Sequence, residues 1–237
     1  MKKVLITANI HPYLQNRLEK LGYFVQVKED IERAELVAII EVYEVLIITT
    51  YTKVDKELID IARNLKIVGR VGSGMENVDI DYCKQKNIQC VNSPEGNGNA
   101  VGEHCLAMLL NLMNNINKAN NELKQNIFNR EENRGVELDG KSVGIIGYGH
   151  TGSAFAKKLR GFEAEVLVYD KYKKTQDDFV QQVSLDEIKR RCDVISFHVP
   201  YHEETHYYLN VDFIADCAKK PIFINTSRGA VVNTLDI

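Results

Sequence analysis

The chain has 237 residues, a net charge of −3 and a hydrophobic fraction of 44%. That length leaves room for one large or two small domains, and scattered lysines and arginines on a near-neutral chain give no footprint for nucleic acid or an anionic membrane. No stretch is apolar over about 18 residues, the length a spanning helix needs, and MKKVLITANIHPYLQ lacks the long apolar core and small-residue cleavage site of a secretory signal.

In chain order, short apolar runs alternate with amphipathic stretches. KVLITA (3–8) precedes a helix-like segment at 12–21, YFVQV (23–27) precedes another at 31–40, and VLIITT (45–50) leads to DKELIDIARN (55–64). KIVGRVG (66–72) leads to DYCKQKN (81–87), and IQCVNS (88–93) closes the series. Continuous Val/Ile/Leu runs suit strands buried on both faces, and alternation with helices implies parallel pairing through crossovers. Residues 1–98 therefore read as one doubly wound α/β domain of flavodoxin-like architecture.

NSPEGNGN (92–99) is a break rich in Pro, Gly and Asn. An apolar stripe through Val101, Cys105, Met108, Leu109, Leu112 and Ile116 then predicts one long helix from Ala100 to Gln125. Residues 126–140 are polar and loop-like. A second α/β series occupies the rest of 99–237, with four strands expected at 142–149, 164–170, 193–199 and 221–227, and the start of a helix at NTLDI. The five cysteines (Cys83, Cys90, Cys105, Cys192, Cys217) form no CxxC pair. They read as reduced core thiols of a cytoplasmic protein, with no metal site.

The chemistry concentrates in GYGHTG, where Gly147, Gly149 and Gly152 hold G-x-G-x-x-G spacing. Alone the pattern is weak. Here an apolar strand precedes it, a helix follows, and a second strand ends in Asp170, eighteen residues after Gly152, close to the ~20 expected of a ribose-binding acid. Gly147 permits the tight turn, Gly149 lets pyrophosphate approach the backbone, and Gly152 lets helix and strand pack. The helix N-terminus then offers free N–H groups and the positive end of its dipole to the phosphates. Asp170 would accept ribose hydroxyls and repel a 2′-phosphate, which favours NAD over NADP; Lys171, Lys173 and Lys174 soften that preference. The competing reading is a glycine turn in an α/β domain that binds no nucleotide.

The ordered segments RVGSGMENVD, NSPEGNGNAVGEH, GKSVGIIGYGHTG, HVP and INTSRGAVV make the chain similar, over its whole length, to the D-isomer-specific 2-hydroxyacid dehydrogenases. That family includes phosphoglycerate, glycerate, D-lactate and formate dehydrogenases. The resemblance implies a substrate domain followed by an NAD-binding Rossmann domain, an active site in the cleft between them, and hydride transfer between NAD and a D-2-hydroxy acid or its 2-keto acid. It also implies a homodimer. Ser73 and Gly74 in VGSG would hold the substrate carboxylate through backbone N–H groups, and Arg228 would be the catalytic arginine. Val199 and Pro200 would line the adenine side of the cofactor and Thr226 the nicotinamide end, and His150 and Thr151 would offer backbone N–H groups to pyrophosphate. Asn233 stands where the family usually has an acidic residue. The family's proton-donor histidine and its orienting glutamate fall in motifs well after NTSRG, and the chain ends nine residues after Arg228. The expectation is thus a C-terminally cut fragment with an incomplete second domain and little or no turnover. His198, His104, His202, His206, His11 and His150 each read as structural or solvated. The alternative is a non-catalytic, NAD-binding module of the corepressor type found in the same family.

Overall fold

A computed structural model describes residues 1–237. The chain divides into two units, Met1–Gly96 and Asn97–Ile237.

In the first unit five parallel strands alternate with helices: β1 (Lys3–Ile6), α1 (Pro12–Lys20), β2 (Phe24–Val27), α2 (Arg33–Ile39), β3 (Val45–Ile48), α3 (Lys56–Ile61), β4 (Ile67–Arg70), α4 (Ile80–Gln85) and β5 (Gln89–Asn92). The sheet order is β2-β1-β3-β4-β5. Successive residues of a strand point to opposite faces, and both faces here are covered. Leu5, Leu46 and Ile48 feed one apolar cluster, and Val4, Ile6, Val45 and Ile47 feed another. That is why β1 and β3 read as unbroken apolar runs. Asp55 and Asp79 start α3 and α4 by accepting the backbone N–H of Leu58 at 3.1 Å and of Tyr82 at 3.0 Å.

The second unit opens with α5 (Gly98–Met113) and α6 (Ile116–Lys124). One helix was expected across this stretch. The apolar stripe does continue through it, but Asn115 adopts φ 52° and breaks the helix between the two. Asparagine is among the few side chains that tolerate that left-handed conformation. Then follow β6 (Ser142–Ile146), α7 (His150–Lys158), β7 (Glu165–Tyr169), β8 (Gln181–Gln182), α8 (Leu185–Arg191), β9 (Val194–Phe197), α9 (Val211–Ala215) and β10 (Ile222–Asn225). Five parallel strands lie in the order β10-β9-β6-β7-β8, one more than expected. The extra strand, β8, is two exposed glutamines and carries no apolar signal. NTLDI forms a turn, not a helix, with Asp236 donating its N–H to the Asn233 carbonyl at 3.1 Å. No helix is long and apolar enough to cross a membrane.

Candidate functional site

The second unit places its chemistry at the carboxyl ends of β6, β7, β9 and β10, where open α/β sheets take ligands. Gly147 ends β6 at φ 91°, and a Cβ there would sit 2.6 Å from the His198 carbonyl oxygen. A Cβ on Gly152 would sit 2.1 Å from the Gly147 carbonyl oxygen, so α7 starts in direct contact with the strand end. Gly149 differs: nothing lies within 4 Å of where its Cβ would be. The space above it is open. His150 and Thr151 are the first residues of α7, and the first helical N–H groups have no carbonyl four residues back. The loop is therefore a concave cluster of backbone donors facing empty space.

Asp170 does more than the sequence implied. Its carboxylate accepts the Tyr148 N–H at 2.8 Å and the N–H groups of Tyr172 and Lys173, both at 2.9 Å. Burial alone would raise its pKa, but these three bonds and the charge of Lys173 hold it below the usual carboxylate value. A carboxylate has about four acceptor sites, so roughly one remains for a ligand hydroxyl. Tyr148, between the two glycines, tucks its hydroxyl back to Asp177 at 3.0 Å, and Arg160 pairs with the same carboxylate at 2.8 Å. Burial first, then Asp177, pushes the Tyr148 phenol up to about 12. The segment after β7 thus anchors the glycine loop through Asp170 and Asp177.

A cavity of about 570 Å³ opens beside this loop. Of the expected residues it brings together Gly147, Gly149, Asp170, Val199 and Pro200. Tyr169, Tyr172 and Tyr208 add aromatic walls that sequence reasoning missed. So did an ion pair at the rim, Lys171 to Glu204 at 2.5 Å, with the Tyr172 hydroxyl donating to Glu204 at 3.3 Å. His150, Thr151, Gly152, Thr226 and Arg228 do not line the cavity. They lie on the first turn of α7 and on the turn after β10.

That last turn is held tightly. Asn225 accepts the Ser227 N–H at 3.0 Å and donates to the Arg228 carbonyl at 2.9 Å. The Ser227 hydroxyl accepts from Val199 N–H and donates to the Phe197 carbonyl, each at 3.0 Å. Arg228 is exposed, with its guanidinium donating to the Ser227 carbonyl at 2.8 Å. His198 is buried, and burial lowers its pKa to about 4. It is a neutral imidazole at working pH.

In the first unit, the loop carrying Ser73 and Gly74 follows β4. The Gly72 carbonyl accepts Ser93 N–H at 3.0 Å, and the Ser73 carbonyl accepts the Asn92 side chain at 2.6 Å. Arg70, which the motif reading passed over, lays its guanidinium against Gly72. One of its nitrogens donates to the Thr50 hydroxyl at 3.3 Å, while its Nε is buried without a hydrogen-bond partner. A separate cavity of about 530 Å³ lies where the strand order reverses between β1 and β3, lined by Thr7, Asn9, Arg33, Thr52 and Asp55 among others. The Ser73–Gly74 loop is not on it.

A family model described as "D-isomer specific 2-hydroxyacid dehydrogenase, NAD binding domain" matches residues 106–237, more than half the chain. The chain belongs to the D-isomer specific 2-hydroxyacid dehydrogenase family. Within it, the D-3-phosphoglycerate dehydrogenase of Archaeoglobus fulgidus is 34% identical over 98% of this chain and 44% of its own length. The hydroxypyruvate reductase of Thermotoga maritima is 34% identical over 86% of this chain and 67% of its own length. The chain therefore spans less than half of the phosphoglycerate dehydrogenases it matches. Among solved structures, the D-lactate dehydrogenase of Aquifex aeolicus, complexed with NAD and lactic acid, superposes with a TM-score of 0.84 at 30% identity, covering 98% of this chain and 71% of that one. A Thermus thermophilus protein superposes at 0.89, with 28% identity and coverage of 99% and 76%.

The residues present fit the family's cofactor. The open face at Gly149, the helix N-terminus and the remaining acceptor of Asp170 match the pyrophosphate and ribose of NAD in charge and hydrogen-bonding sense.

Proposed function

We propose that this chain is the substrate- and cofactor-binding part of an NAD-dependent dehydrogenase that interconverts a D-2-hydroxy acid and its 2-keto acid. The observation that carries the proposal is the phosphate loop: a glycine turn with open space at Gly149, a helix start behind it, and Asp170 at the next strand end. NAD, when bound, supplies the hydride acceptor or donor. The chain's own residues bind and orient. Gly147, Gly149, His150, Thr151 and Gly152 take the pyrophosphate, Asp170 takes a ribose hydroxyl, Val199 and Pro200 line the adenine, and Thr226 lies at the nicotinamide end. Ser73 and Gly74 offer backbone N–H groups to the substrate carboxylate. Arg228 polarises the carbonyl oxygen, where negative charge grows as hydride arrives.

Arg70 points to the substrate class. Its guanidinium lies against Gly72 and donates to Thr50 beside the loop that carries Ser73 and Gly74, a positive charge that favours an anionic acid substrate. A phosphorylated three-carbon acid is the substrate class proposed, on the similarity to the phosphoglycerate dehydrogenases above. None of the six histidines is assigned the proton donor. His198 is a buried neutral group with both nitrogens engaged, His11 caps α1 by accepting Tyr13 N–H, and His206 contacts Tyr201 and stacks on Tyr207.

The test is 2-keto acid binding to the NADH-loaded chain, read by nucleotide fluorescence. A phosphorylated keto acid should bind more tightly than pyruvate, and Arg228→Gln should abolish keto-acid binding while leaving NADH affinity intact. Equal keto-acid binding by Arg228→Gln would remove Arg228 from the substrate site.

A further inference from the structure

Beneath the turns that follow β9 and β10 lies a set of buried polar side chains that the proposed chemistry does not use. The Ser196 hydroxyl and His198 Nε2 are 2.8 Å apart. His198 Nδ1 lies 3.4 Å from the Thr226 hydroxyl. The Cys105 thiol donates to that hydroxyl at 3.5 Å, an ordinary distance for sulfur. The four groups come from four places: α5, the middle of β9, the turn after β9 and the turn after β10. Ser196 and Cys105 have no exposed surface.

These contacts form one unbroken chain, Ser196–His198–Thr226–Cys105, that gives both ring nitrogens of His198 a hydroxyl partner. A buried chain of this kind polarises each of its bonds.

The position of these groups assigns their task, and this step rests on the cofactor reading above. The phosphate loop follows β6, and Asp170 follows β7 on one side of it. In the order β10-β9-β6-β7-β8, the adenosine half would lie toward β7 and the turn after β9, and the nicotinamide half would lie beyond it, at the turn after β10 that carries Thr226. We infer that the buried hydrogen-bonded chain Ser196–His198–Thr226–Cys105 positions the nicotinamide half of the dinucleotide by fixing the β10 turn against β9 and α5. Ser196, His198 and Cys105 are positioning residues that act through Thr226. The backbone of His198 is pinned separately, by its N–H to the Ile146 carbonyl at 2.8 Å, so cutting the chain leaves the wall of the phosphate loop in place.

The experiment uses the whole polypeptide and two probes, NADH and ADP-ribose, which lacks the nicotinamide. Ser196→Ala cuts the chain at its end remote from the ligand. NADH Kd should rise about fivefold, the effect of one net hydrogen bond, while ADP-ribose Kd stays within about twofold. Cys105→Ala should reproduce the split. Cys105→Ser, which keeps a donor and an acceptor, should restore wild-type NADH affinity. Nitrogen NMR of the His198 imidazole should show its Nε2 resonance shift in Ser196→Ala, which removes that nitrogen's partner. Unchanged NADH affinity in both cutting variants, or equal loss of NADH and ADP-ribose, would overturn the positioning role. A wild-type protein that binds neither probe would overturn the cofactor reading and the positioning role with it, and that failure appears before any variant is made.

Discussion

Gly149→Ala separates the cofactor site from the fold. Gly149 sits at φ −85°, outside the left-handed region, and its missing Cβ would meet no atom within 4 Å. Alanine loses a little as a helix N-cap relative to glycine and gains about 0.4–1 kcal/mol through the unfolded chain. The two nearly cancel, so the change in stability should stay within about 0.5 kcal/mol. For a chain of this size that is a Tm shift below about 2 °C. The ligand is another matter. A methyl group in that open space displaces the pyrophosphate from the N–H groups of α7, and losing one charge-assisted hydrogen bond costs about 1.5–3 kcal/mol, a ten- to hundredfold rise in Kd. Thermal melting and a NADH fluorescence titration on the same sample read both quantities. Wild-type NADH affinity in Gly149→Ala would refute the assignment of this loop to pyrophosphate.

Gly152→Ala should show the opposite balance, because its Cβ would meet a backbone oxygen at 2.1 Å that cannot give way; a loss of about 1–3 kcal/mol in denaturant unfolding is expected. Tyr148→Phe removes the bond to Asp177 and should cost about 1 kcal/mol in the same assay, with a matching weakening of NADH. Asp170 titrates below its unfolded value, so the stability it contributes is complete above about pH 5 and disappears as pH falls through its lowered folded-state value. Asp170→Asn should therefore be less stable near pH 6 and should lose less Tm than the wild type between pH 6 and pH 3; parallel curves would count against this account.

Both sheets were legible because strands buried on two faces, such as β3 with Val45–Ile48, leave nothing but apolar residues to read. The glycine loop was legible because Gly147 and Gly152 answer local demands that other side chains fail, at the spacing a phosphate loop needs. The break at Asn115 was hidden, since the apolar stripe runs on to Ile116, and β8 was hidden because two glutamines pair with β7 through their backbone alone. The side chains that hold the site could not be read at all. Asp177 on Tyr148, Asn92 on Ser73, Glu204 across from Lys171 and Cys105 on Thr226 meet through contacts between 19 and 121 residues apart. Spacing along the chain carries no trace of them. Arg70 stood inside RVGSGMENVD, but only its contact with Gly72 marks it.

The most direct test of the central claim is a calorimetric titration of the chain with NADH and with NADPH. The account predicts one NADH per chain, displaced by ADP-ribose, with NADPH weaker by about tenfold because Asp170 stays ionised beside the ribose. Absence of saturable NADH binding, or equal affinity for both nucleotides, would contradict it.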